Sequence, residues 1–176
     1  ASWMLEVTKA SDLVVANHRL NAVTRISQAR LLAVAIHLRD DLTKADKEKL
    51  LAEWERVTFR IYGMIGHDAR TRVGDYNRLA WRVVNEKLSF ADISQGIATI
   101  GKEFPIEKAV EELRNANCYE GWETELRYFM FRYEEYLSKQ RGMIFSQDQW
   151  DKIWMASPSD SIEHIHAKSK APEKHK

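Results

Sequence analysis

"TKADKEKLLAEWERVTFRIYGMIG", residues 43–66, is the stretch whose reading decides the fold. Leu50, Leu51, Trp54, Val57, Ile61 and Ile65 recur at spacings of three and four and make one apolar stripe, while Lys and Glu fill the opposite face. That is an amphipathic helix. Gly66 is its natural stop, because glycine takes the left-handed conformation that ends helices.

The same pattern extends in both directions. Upstream, Leu31, Leu32, Ala35 and Leu38 predict a helix over 27–38 with Ser27 as N-cap, and the segment before it could hold a short one. Downstream, "HDARTRVGD" (67–75) reads as a polar, basic loop. Leu79, Ala80, Val83, Val84 and Leu88 then resume helical spacing. Ser89 and Asp92 resemble a capping box, with Asp in place of the usual Glu, ahead of Phe90, Ile93, Ile97 and Ile100. Pro105 suits the first position of a further helix, with Ile106, Ala109, Val110 and Leu113 inward. The longest helix lies in "EGWETELRYFMFRYEEYLSKQRG" (120–142), with Trp122, Leu126, Phe129, Met130, Tyr133 and Leu137 as its apolar face and Gly142 at its end. "SQDQWDKIWM" (146–155) adds a short amphipathic turn with Trp150, Ile153 and Trp154, and Pro158 breaks it. The expected fold class is therefore all-α: a bundle of about seven helices, closed by a short strand-like segment at "SIEHIH". Leu31, Leu51, Trp54, Ile61, Val83, Ile97, Trp122, Leu126, Phe129 and Tyr133 are expected in the core.

Composition agrees. With 3 Pro and 7 Gly in 176 residues, a turn-rich β fold is disfavoured, and 44% hydrophobic against 30% charged residues is ordinary for a globular domain. A net charge of +1 advertises no global attraction to nucleic acid, although the last ten residues hold four Lys against one Glu, and Arg60, Arg70, Arg72 and Arg78 bracket a second basic stretch. No apolar run approaches the ~18 residues that span a bilayer, and the first ten residues lack the pattern of a signal peptide. Cys118 is the only cysteine, so no disulfide forms within the chain, as expected in a reducing cytoplasm.

Four constellations could carry chemistry. Glu163 beside His164 places a carboxylate next to an imidazole, the donor set for a divalent cation and a general base. A solvated surface pair is the commoner outcome for such a dipeptide. His164 and His166 would share one face of a strand, but structural zinc needs four ligands and no others lie at matching spacing. Tyr128, Phe129, Phe131, Tyr133 and Tyr136 beside Arg127 and Arg132 could stack on bases, yet aromatics at helical spacing are more often core. Arg70 and Arg72 could bind phosphate or pair with nearby Glu, the more frequent fate.

Taken together, "LLAEWERVTFRIYGMIGHDARTRVG", "LRYFMFRYEEYLSKQRG" and "SIEHIHAKSK" resemble the GmrSD-type family of modification-dependent restriction nucleases over roughly residues 20–170. The resemblance implies a ParB-like nucleotide-binding domain, a helical region and a C-terminal HNH nuclease domain entered on an (S/T)-(I/V)-E-H-I-x-P motif. His164 falls on the general base of that motif and Glu163 on a metal ligand, while Ala167 stands where the family has proline. By this resemblance, residues 1–156 are a helical domain and 157–176 the start of a truncated HNH (ββα-metal) module. The rest of the site would lie beyond Lys176, and this chain alone would leave DNA uncut. The expected cofactor is a divalent metal, Mg²⁺ first, with any nucleotide bound in the absent N-terminal domain. DNA is the expected partner, contacted through Lys168, Lys170, Arg70 and Arg72; no membrane is expected, and a homo-oligomer stays open. The competing reading is a helical adaptor for protein or nucleic acid, in which Glu163–His164 is accidental.

Overall fold

The computed structural model describes residues 2–17, 27–117, 122–144, 146, 148–149 and 152. Seven α-helices occupy them: α1 Ser2–Ala16, α2 Ser27–His37, α3 Lys44–Thr58, α4 Val73–Asn85, α5 Phe90–Gly101, α6 Ile106–Asn115 and α7 Glu123–Gln140. No strand occurs among the described residues, so the all-α expectation holds. The alternating segment 161–166 and Trp150, Ile153 and Trp154 lie outside them. The chain divides into two compact units, residues 1–116 and 117–176. The boundary expected at 156/157 also lies outside the described residues.

In the first unit α3 packs on α2 and α5, and α2 on α1 and α4. The stripe of residues 43–66 is the heart of it: Leu50, Trp54 and Ile61 are fully buried, with Leu51 and Val57 nearly so. The Trp54 indole donates to the Ala29 carbonyl at 2.9 Å, which ties α3 to α2 inside the core. Leu32, Ile36, Tyr76, Val83, Ile93 and Ile97 complete the interior.

Local chemistry sets the helix limits. Thr43 and Ser89 accept hydrogen bonds from the N–H groups of Asp46 and Asp92, satisfying otherwise orphaned donors at the starts of α3 and α5. The Ser89–Asp92 expectation is thus met. Pro105 sits one place earlier than expected, at the N-cap of α6. The connection between α2 and α3 is held by Arg39, which is 4% exposed. Its guanidinium donates to the carbonyls of Val83 and Leu88 at 2.9 and 2.8 Å and forks onto Asp41 at 2.7 Å. Arg39 is the principal reason that the Asp41 carboxyl is held down at about 2.

In the second unit, α7 ends in a Schellman motif: Met143 N–H donates to Ser138 O at 2.8 Å, Gly142 N–H to Lys139 O at 3.1 Å, and Gly142 has φ 71°. The Trp122 and Phe129 rings lie 6.4 Å apart.

Several expected core positions are corrected. Leu31 is exposed, because α2 is surrounded on three sides and Leu31 falls on its remaining strip. On α6 only Ala109 is buried, and Ile106 and Val110 are exposed. On α7, Met130 and Tyr133 are exposed, while Tyr128 and Phe131 are buried at 4% and 2% exposure. The first helix spans Ser2–Ala16 and buries Ala10 and Val14; it shares only residues 10–16 with the segment 10–26 expected to hold a short helix, and 18–26 lie outside the described residues.

Candidate functional site

The expected site residues fall into two groups. Glu163, His164, Lys168 and Lys170 lie outside the described residues. Arg70 and Arg72 lie in the connection between α3 and α4, and its geometry begins in α3 itself.

Beyond Thr58 the helix widens into a π turn over Phe59–Met64. Ile65 N–H reaches Arg60 O at 3.1 Å and His67 N–H reaches Ile61 O at 3.2 Å, both longer steps than an α-helix takes. Gly63 permits this, since a Cβ there would stand 2.5 Å from the Phe59 ring. Gly66, at φ 76°, then turns the chain out. The π turn aims polar groups at its surroundings. Arg60 donates to Gly101 O at 3.2 Å, and the Tyr62 hydroxyl donates to Thr71 O at 2.5 Å. Burial, with Asp68 adding to it, pushes the Tyr62 hydroxyl up to about 12, so it stays a donor. Thr58 and Tyr76 share a buried hydrogen bond of 3.0 Å between their hydroxyls.

The loop 67–72 is held by its own charges. Asp68 accepts from the Arg70 backbone N–H at 2.7 Å and from its guanidinium at 2.7 and 3.1 Å. That side-chain contact is the main cause of the lowered Asp68 carboxyl. Arg72 adopts φ 58°, uncommon for a side chain that is not glycine, and caps α4. Its guanidinium pairs with Asp75 at 3.1 Å and with Glu103, and stands 5.7 Å from the centre of the Phe104 ring. His67 meets the same Phe104 edge-on at 5.0 Å. Asp75 is pushed up by burial, but Arg78 and Arg72 pull harder and its carboxyl is lowered. Arg70 and Arg72 therefore engage different carboxylates, whereas Arg72 and Arg78 meet on Asp75.

One turn further along α4, Arg82 pairs with Glu86 at 2.8 Å. Arg72, Arg78 and Arg82 line one wall of a groove of ≈ 410 Å³ between α4 and α5; Gln95 and Thr99 stand on the other. Trp81 flanks this arginine ridge and is 60% exposed. Reading the sequence for the loop alone missed Arg82, Trp81 and the α5 wall. The signal was present in the four-residue spacing of Arg78 and Arg82 around Trp81.

Among the described residues, no group of three or more His, Cys, Asp or Glu could hold a metal ion, and no helix is long and apolar enough to cross a membrane. No family model, curated protein or solved structure matches the chain.

Proposed function

We propose that this chain is the helical part of a DNA-cleaving restriction endonuclease whose divalent-metal HNH site is entered at Glu163–His164. The observation that carries the reading is the run "SIEHIHAKSK" following, in the sequence, a long helix that ends in "YEEYLSKQ". A helical region is what the resemblance calls for ahead of that run, and the described residues form helices. The donor set fits the role: a carboxylate suits a hard divalent cation, and an imidazole titrates near neutral pH. Glu163 would hold the metal, which supplies charge stabilisation on the phosphate. His164 would take the proton from the attacking water.

The test is cleavage of DNA by the intact parent protein at fixed salt and metal. His164→Ala should lower the rate by about 10²–10⁴-fold and leave helicity unchanged. An unaltered rate would overturn the reading.

One observation favours the second reading, a helical adaptor: both loop arginines expected to meet DNA rest on carboxylates, Arg70 on Asp68 and Arg72 on Asp75 and Glu103. The same His164→Ala experiment separates the two.

A further inference from the structure

We infer that the ridge of Arg78 and Arg82 on α4, with Trp81 beside it, binds an unpaired stretch of nucleic acid, its phosphates on the arginines and a base stacked on the indole. The choice of nucleic acid rests on the proposed DNA role; the surface itself is read from the structure.

Arg78 and Arg82 are four residues apart on one helix face, a rise of about 6 Å. Neighbouring phosphates along a single strand stand at a similar separation. Both side chains are well exposed, and their pairs with Asp75 and Glu86 are local, solvated contacts worth little. A guanidinium has five N–H donors, so each can keep its carboxylate and still donate to a phosphate. Arg72, clasped by Asp75, Glu103 and the Phe104 ring, has no such freedom. Trp81 lies on the flank of the ridge opposite the groove, with an indole that is 60% exposed. Every base offers a π face, so an exposed indole beside two arginines favours unpaired strands over duplex, whose bases are hidden. Asp75 and Asp92 line the groove as well, which keeps the local field weak. Binding should therefore depend on contact more than on long-range attraction.

The test is fluorescence anisotropy of the 176-residue chain with a labelled thymidine oligonucleotide, titrated with salt. Trp81→Ala should weaken binding about tenfold, and Trp81→Phe should retain most of it. The double variant Arg78→Gln, Arg82→Gln should reduce the slope of log K against log salt by about 1.4, two single-strand phosphates' worth. All three positions are exposed, so thermal melts should match wild type. Absence of binding at low salt, wild-type binding by Trp81→Ala, a wild-type salt slope for the Arg78→Gln, Arg82→Gln double variant, tighter binding of duplex, or displacement by polyglutamate as readily as by unlabelled oligonucleotide would each overturn the inference. Because no cleavage is read, its failure leaves the His164 test standing, and failure of that test leaves this one intact.

Discussion

α3 and α7 both carry aromatic and aliphatic residues at helical spacing, but only α3 buries the face that its spacing predicts. In α3 the apolar residues Leu50, Leu51, Trp54 and Val57 are buried and Lys44, Glu48, Lys49 and Arg56 are exposed. In α7 the buried residues are Arg127, Tyr128, Phe131 and Ser138, whereas Met130, Tyr133 and Tyr136 are exposed. The difference lies in the other side of the helix. α3 has charges opposite its stripe, so one orientation buries the stripe and leaves Lys44, Glu48, Lys49 and Arg56 in water, with Glu55 its one buried charge. α7 has large apolar side chains around most of its circumference, and spacing alone selects no face. A stripe specifies an orientation only when the residues opposite it forbid the alternatives.

Breaking that contrast is straightforward. Trp54→Ala should have the largest effect, costing about 3–5 kcal/mol, because it empties a fully buried site and leaves the Ala29 carbonyl without its donor. Urea or thermal unfolding measures it, and a loss under ~1 kcal/mol would mean that the α3 face is not the core.

The α7 assignment is sharpened by a pair. Phe131→Ala should cost about 3 kcal/mol, and Tyr133→Ala less than about 1 kcal/mol, given exposures of 2% and 49%. The reverse order would restore the face that spacing alone suggests.

The smallest effect is a dependence on pH at the edge of the first unit. Burial, and then the charge of Lys47, lower the pKa of His37, whose Nε2 is buried without a hydrogen-bond partner among the described residues. The unfolded chain binds this proton at its ordinary value near 6.5, before the folded one does. Stability should therefore be full above that value and fall as pH drops from it toward the lower folded value. Unfolding of wild type and His37→Gln across this range reads the difference, and identical slopes would remove His37 from the account.

What was legible in the sequence follows the same physics. The helices, their order, the cap at Ser89 and the stops at Gly66 and Gly142 were readable because each depends on a few neighbouring residues. The groove beside Arg72 was not. Its second wall is Gln95 and Thr99 on α5, and Arg72 on the first wall is held by Glu103 and Phe104, thirty-odd residues away; no local pattern announces a meeting at that separation. The π turn was equally hidden. Its residues fit an α-helix in spacing, and only the packing of the Phe59 ring over Gly63 accompanies the wider turn.

Sequence by itself determined that this protein is helical and that Leu51, Trp54 and Ile61 of residues 43–66 face a core, because amphipathic spacing and terminal capping are properties of short segments. Tertiary structure alone decided which flank of α7 is buried, that α6 buries little beyond Ala109, and that the loop arginines rest on carboxylates. Those outcomes depend on which surfaces and charges other parts of the chain bring within a few ångströms, and distance along the sequence does not encode that.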